Sequence, residues 1–118
     1  MKWSLGKYSW FLLFLASNVC AIDACPTFTI AITKNIVDPD ILVVPANTKI
    51  KLIILNNDQT PEEFESRPLK VKKIIMGKTQ VIVFIGPLPA GDYTFTGAYH
   101  PRSTGGVVRA TSPVEVKK

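Results

Sequence analysis

The stretch KIKLII at residues 49–54 decides the fold class, because apolar and basic side chains alternate along most of its length. A period of two is typical of a β-strand that packs one face against a core and exposes the other face to water. Turn-forming residues flank the stretch, with PANT at 45–48 before it and NNDQTP at 56–61 after it. We therefore predict a strand between two turns at this position.

Similar runs continue on both sides of this strand. Residues 27–33 (TFTIAIT) alternate in the same way, and residues 41–44 (ILVV) follow a break at 38–40 (DPD). No window of a dozen residues has the 3.6-residue periodicity of a helix. Many short strands separated by turns indicate an all-β domain built as a sandwich or a barrel. Further strands are predicted within residues 69–75, 81–85, 92–96 and 107–116.

The first 21 residues are typical of an export signal. Two lysines supply positive charge, residues 10–16 (WFLLFLA) form a short apolar run, and Val19 and Ala21 occupy the −3 and −1 positions of a signal peptidase site. The apolar run is shorter than the roughly 20 residues of a membrane-spanning helix. We predict a signal peptide over residues 1–21, export of the protein and one domain over residues 22–118.

Cys25 leaves a second interpretation of the N-terminus open. The segment IDAC at 22–25 is a loose lipobox, although Asp23 fits the motif poorly, and a lipid on this cysteine would anchor the protein to a membrane. Otherwise we expect membrane contact only through a partner. If Cys20 is removed with the signal peptide, one cysteine remains and no internal disulfide is expected.

The charge of the chain is a modest and scattered positive excess. Without the first 21 residues, 12 of the 14 basic residues remain against 9 acidic ones. Lys70, Lys72 and Lys73 form the only basic cluster, and no aromatic residue is interleaved with them. A solvated strand face explains these lysines, so no nucleic-acid partner is predicted.

The inventory of catalytic residues is thin. The chain has one histidine, His100, and it has neither a GxSxG motif nor a phosphate-binding glycine loop. A hydrolase would need this histidine as its base, and no nucleophile is marked out beside it. We therefore predict no hydrolase.

Two loops contain the candidate ligands. In the first, residues 61–66 (PEEFES), Glu63 and Glu65 flank Phe64, so an extended chain would direct both carboxylates to one face and Phe64 into the core. Two such carboxylates repel each other unless a cation lies between them. A solvated acidic edge explains the pair equally well. The second loop, GAYHP at 97–101, carries the single histidine, which is either a ligand or simply solvent-exposed.

The order of these elements resembles the cupredoxin family. Its pattern is a strand ending in G-x-Y-x-F-x-C, followed by x-x-H and later by a methionine. Residues 91–95 (GDYTF) match the strand, Gly97 occupies the cysteine position and His100 matches the second histidine. The resemblance implies a Greek-key β-sandwich. The axial methionine would fall near Gly105 and is absent, and the first histidine of the pattern would fall near residues 62–63. Without a thiolate, a blue-copper centre is not expected.

A closer match is the divergent cupredoxin-like group of bacterial iron uptake. It includes the N-terminal domain of EfeO-type periplasmic proteins and the small stand-alone cupredoxin of Ftr-type ferrous iron transporters. The stand-alone Ftr-type member fits best, because its pattern also lacks the cysteine. The matching segments are FTI at 28–30, VPANT at 44–48, TPEEFES at 60–66, IGPLPAGDYTF at 85–95 and YHP at 99–101.

This resemblance implies a periplasmic protein that handles copper or iron beside an iron permease or a periplasmic iron-binding protein, with ferrous iron oxidation as one form of that role. By position it makes Glu63, Glu65 and His100 the ligands of one Cu(II) or iron ion. Carboxylate oxygens with one imidazole suit these ions better than Cu(I). We expect an accessory protein that binds metal or transfers electrons rather than a turnover enzyme. The alternative is a metal-free protein–protein adaptor, since folds are reused without their sites.

Overall fold

The computed structural model describes residues 25–112, and this part of the chain is built from nine β-strands without a helix. The all-β prediction is therefore confirmed, whereas the predicted signal peptide lies outside the described residues. No helix within the described range is long and apolar enough to cross a membrane. The strands are β1 Thr27–Thr33, β2 Ile36–Asp38, β3 Ile41–Pro45, β4 Ile50–Asn56, β5 Glu62–Ser66, β6 Val71–Ile75, β7 Gln80–Ile85, β8 Gly91–Gly97 and β9 Gly105–Thr111.

The strands form two mixed sheets. A four-stranded sheet has the order β2-β1-β4-β7, and a five-stranded sheet has the order β3-β9-β8-β5-β6. Parallel pairs join β1 to β4 and β3 to β9, whereas the other pairs are antiparallel. Each sheet turns apolar side chains towards one shared core, which gives the predicted sandwich.

Strand β4 lies between β1 and β7 at the interior of its sheet, as its sequence pattern suggests. Ile50, Leu52 and Ile54 are fully buried, and the residues between them are half-buried. The neighbouring sheet contributes Phe64 of β5 and Phe95 of β8, whose rings stack with their centroids 4.8 Å apart. The prediction that Phe64 points into the core is confirmed. This ring pair anchors β5, the strand that carries the acidic residues.

Two local expectations are wrong. Residues 62–66, expected in a loop, form β5, because this segment pairs with strands on both sides and sets Glu65 opposite Lys72 across the β5–β6 pair. Lys70 has a positive φ of 60° and lies in a turn, so the strand expected from residue 69 begins only at Val71. Cys25 is buried and disulfide-bonded in the full-length chain, whereas the expectation of no internal disulfide concerns a chain from which Cys20 has been removed.

Candidate functional site

The single histidine lies in a tight loop between β8 and β9. Its backbone N–H donates to the carbonyl of Gly97 at 3.0 Å, and its own carbonyl accepts from the N–H of Thr104 at 2.9 Å. These bonds curl residues 97–104 back on themselves and fix the position of the histidine at the end of the sandwich. The side chain of His100 is 36 % exposed. The ring is therefore held by the loop and still reaches solvent.

The imidazole contacts a buried carboxylate, that of Glu62 at the start of β5. Oε2 of Glu62 lies 2.7 Å from Nδ1 of His100, and the Glu62 side chain is only 3 % exposed. Oε1 of the same carboxylate accepts hydrogen bonds from the backbone N–H groups of Glu63 and Tyr99, each at 2.9 Å. We call this arrangement the Glu62–His100 pair. It joins β5 to the β8–β9 loop through one buried acidic side chain.

The pair also determines which nitrogen of the ring is available. An ionised carboxylate only accepts hydrogen bonds, so Nδ1 of His100 carries the hydrogen that is donated to Glu62. In the neutral ring the remaining lone pair then belongs to Nε2. Nε2 is therefore the ring atom that is free to accept a hydrogen bond or to bind a cation.

A second acidic residue, Asp58, lies in the β4–β5 loop at the same end of the sandwich. Its carboxylate accepts from the backbone N–H groups of Asn35 at 2.9 Å and Lys34 at 2.6 Å, and so holds the β1–β2 turn. The hydrogen bond from Asn35 is the main cause that lowers the pKa of Asp58, and Lys34, Lys78 and His100 lower it further against the opposing effect of burial.

Close packing surrounds the pair on its inner side. Thr104 is buried, and its hydroxyl donates to the carbonyl of Asn35 at 2.5 Å. A Cβ added to Gly97 would stand 2.5 Å from Cγ2 of Thr104 and 2.8 Å from Cδ of Glu62. Both distances are shorter than any normal carbon–carbon contact, so glycine is the only residue that fits at position 97 as the chain is packed here.

The structure separates the three ligands that the sequence suggested. Side chains alternate along β5, so Glu63 and Glu65 point to the face of the strand opposite to Glu62. Both are half-buried, and no hydrogen bond or ion pair joins either side chain to His100 within residues 25–112. The same range contains no group of three or more His, Cys, Asp or Glu side chains placed to hold a metal ion.

Glu62 is not among the three predicted ligands, although the first histidine of the cupredoxin pattern falls near residues 62–63. The same alternation that directs Phe64 into the core also directs Glu62 inward, two residues earlier. A buried carboxylate needs hydrogen-bond or charged partners, and the only histidine of the chain is an obvious one to consider. The alternation within PEEFES was therefore the signal that could have identified Glu62.

A blue-copper centre does not fit these residues. Such a centre needs one thiolate and two imidazoles around the ion. The chain has a single histidine, and position 97 carries no side chain and has no room for one. The space between position 97 and the ring of His100 is already filled by the carboxylate of Glu62.

Known proteins share the fold described above. An uncharacterised protein of Rickettsia prowazekii (strain Madrid E) is 41 % identical over 70 residues, which cover 59 % of this chain and 56 % of that protein, so the match spans little more than half of the relative. Auracyanin B is similar in structure, with a TM-score of 0.62, 13 % identity and coverage of 73 % of this chain and 88 % of its own.

The metal-binding domain of the Cu(I)-exporting P-type ATPase CopA from Streptococcus pneumoniae D39, solved with Cu(I), is also similar. Its TM-score is 0.62 at 10 % identity, and the match covers 73 % of this chain and 85 % of that domain. At such low identity these two structures support the fold alone. The family described as "Cupredoxin-like domain" matches residues 7–108, which is most of the chain. The protein therefore belongs to the cupredoxin-like domain family.

Proposed function

We propose that the protein is an exported cupredoxin-like protein that binds copper or iron and assists iron uptake beside a membrane permease. The fold is typical of copper-binding proteins, and one similar structure is described as holding Cu(I). The observation that carries the proposal is the Glu62–His100 pair, with its 2.7 Å contact and its half-exposed ring.

The pair has the form of a metal-binding histidine with its supporting carboxylate. Histidines that bind metals usually donate their other ring N–H to a carboxylate or carbonyl, which fixes the tautomer and the orientation of the ring. Glu62 does this for His100 and leaves Nε2 available. An imidazole among oxygen ligands suits Cu(II) or iron. Because the described residues offer one such nitrogen, the ion would take its remaining ligands from water or from a partner, as suits a protein that passes metal on.

A metal-free adaptor is the second candidate, and a specific observation favours it. Every described contact of the Glu62 carboxylate is to a donor of the protein itself: two backbone N–H groups and the ring of His100. Such a fully satisfied buried group can serve structure alone. In this case the protein would contribute a stable surface to an assembly and bind no ion.

Calorimetric titration of Cu(II) and Fe(III) into the protein purified from the periplasm of an expression host tests the proposal. We expect binding of one ion, loss of binding in H100A and weaker binding in E62Q. The double variant E63Q/E65Q is the matched control, and we expect it to bind as the unmodified protein does. If the unmodified protein binds neither ion, the adaptor is favoured. If E63Q/E65Q loses binding and H100A keeps it, the ion is held by the acidic pair instead.

The mass of the exported protein tests the proposed processing. We expect the mass of residues 22–118, which corresponds to cleavage after Ala21. A heavier product that carries a lipid on Cys25 would contradict this cleavage site. The proposed role in uptake predicts slower iron accumulation by cells in which the gene is deleted, and unchanged accumulation in such cells would argue against it.

A further inference from the structure

Three positions of the chain converge on one small volume at the end of the sandwich. The carboxyl carbon of Glu62 lies 2.8 Å from the place that a Cβ at position 97 would take. From the other side, Nδ1 of His100 lies 2.7 Å from Oε2 of the same carboxylate. A thiolate at 97, an imidazole at 62 and His100 would together be the two-histidine, one-cysteine set that copper favours.

In this chain the volume is filled by protein atoms. The carboxylate of Glu62 occupies its centre, and Cγ2 of Thr104 stands 2.5 Å from the place of a Cβ at position 97. Position 97 therefore cannot carry a side chain while Glu62 and Thr104 keep their present positions. Glu62 and Thr104 are both buried, so neither can move aside into open solvent without repacking the loop.

The spacing within the pair leaves no room for an ion between its two members. A transition-metal ion bonds nitrogen and oxygen ligands at about 2 Å, so two ligands are about 2.8 Å apart at an angle of 90° and about 3.3 Å apart at the tetrahedral angle. Nδ1 and Oε2 are 2.7 Å apart, which is the distance of a charge-assisted hydrogen bond. A proton, rather than a metal ion, fits between them.

We infer that Glu62 takes the place of the metal in the interior of this fold. The carboxylate holds Nδ1 of His100 from the inside, where an ion would otherwise bind it, and closes the volume to ions. Any ion that His100 binds must therefore be bound from outside, through Nε2. This inference does not depend on whether such binding occurs, and so it stands apart from the proposed function.

The first experiment observes His100 in the full-length protein by ¹⁵N NMR while Zn(II) is added. We expect the Nδ1–H signal, protected by its bond to Glu62, to persist at saturating Zn(II), with any shift confined to Nε2. Loss of the Nδ1–H signal with a metal-induced shift of Nδ1 would overturn the inference. If Zn(II) changes the signal of neither ring nitrogen, metal binding through Nε2, which the proposed function requires, is contradicted. The inference that Glu62 closes the interior volume to ions is then still supported.

The second experiment reopens the volume by substitution. The variant E62H/G97C/T104G supplies the second imidazole and the thiolate and removes the two clashing Thr104 atoms. We expect the triple variant to bind Co(II), an ion that does not oxidise thiolates, and to show a thiolate-to-metal absorption band. The control is G97C/T104G, in which Glu62 remains. We expect the triple variant to bind Co(II) about ten-fold or more tighter than this control. A folded triple variant that binds Co(II) no better than this control would contradict the inference. If the triple variant does not fold, the NMR measurement decides.

Discussion

The substitution Glu62→Ala tests the central contact of the site. It removes the acceptor of three hydrogen bonds, from the backbone N–H groups of Glu63 and Tyr99 and from Nδ1 of His100. Hydrogen bonds to a charged group contribute about 1.5–3 kcal/mol each, and the lower value for the two backbone bonds gives about 3 kcal/mol. The half-exposed bond to His100 adds less than about 1 kcal/mol. We expect the free energy of unfolding to fall by about 3 kcal/mol, a large part of the 5–15 kcal/mol typical of a domain.

Urea unfolding followed by fluorescence measures this loss. The slope of the transition should stay constant, so that the change lies in its midpoint. For a domain of this size, a loss of about 3 kcal/mol lowers the melting temperature by roughly 12–24 °C. Glu62→Gln keeps one acceptor oxygen, so we expect roughly half of the loss. Glu63→Ala is the matched control, because this side chain points to the other face of β5, and it should cost less than about 1 kcal/mol. A loss in Glu62→Ala no greater than that of the control would refute the reasoning.

Two further predictions concern the packing and the charges around the pair. Gly97→Ala should lower the free energy of unfolding by about 3 kcal/mol, because the new Cβ would collide with Glu62 and Thr104. Urea unfolding measures this loss. An unchanged free energy of unfolding would contradict the prediction and mean that the loop rearranges at little cost. Asp58→Asn should cost about 1 kcal/mol at pH 7 by weakening the bonds from the β1–β2 turn. Since the hydrogen bond from Asn35 lowers the pKa of Asp58 below its ordinary value of 3.8, the contribution of this carboxylate to stability is present above pH 3.8. It is lost as the pH falls through the lower pKa of the folded protein. The variant should therefore lose less stability than the unmodified protein between pH 4 and pH 2; identical acid dependence in both proteins would contradict this.

The sequence predicted the fold well where one strand face is buried and the other is not. In β4, Ile50, Leu52 and Ile54 alternate with basic or half-buried residues. This alternation shows directly which face of the strand packs against the core. The pattern is weaker in β5, because acidic residues are uncommon in strands and only pairing with β6 and β8 makes the segment extended. The three-residue β2 is too short to produce a pattern.

The candidate site was predictable only in part, because it depends on contacts between distant parts of the chain. Composition alone singles out His100, since no other histidine exists. Its partner lies 38 positions earlier in the chain, and which glutamate of PEEFES faces it depends on the register of β5 against the core. Alternation settles that register once Phe64 is placed inward, and it selects Glu62.

The position of β9 has a consequence for how the chain folds. Strand β9 is the last strand within residues 25–112 and lies between β3 and β8 in the five-stranded sheet, and its parallel pairing with β3 sets Ile41 beside Val107. Until the C-terminal residues of β9 are available, β3 lacks its neighbour and the sheet remains in two pieces. Such non-local pairing slows folding, because a long loop must close before the contacts form. In a chain synthesised from its N-terminus, the five-stranded sheet therefore cannot be completed before β9 has been made, however early β3 leaves the ribosome.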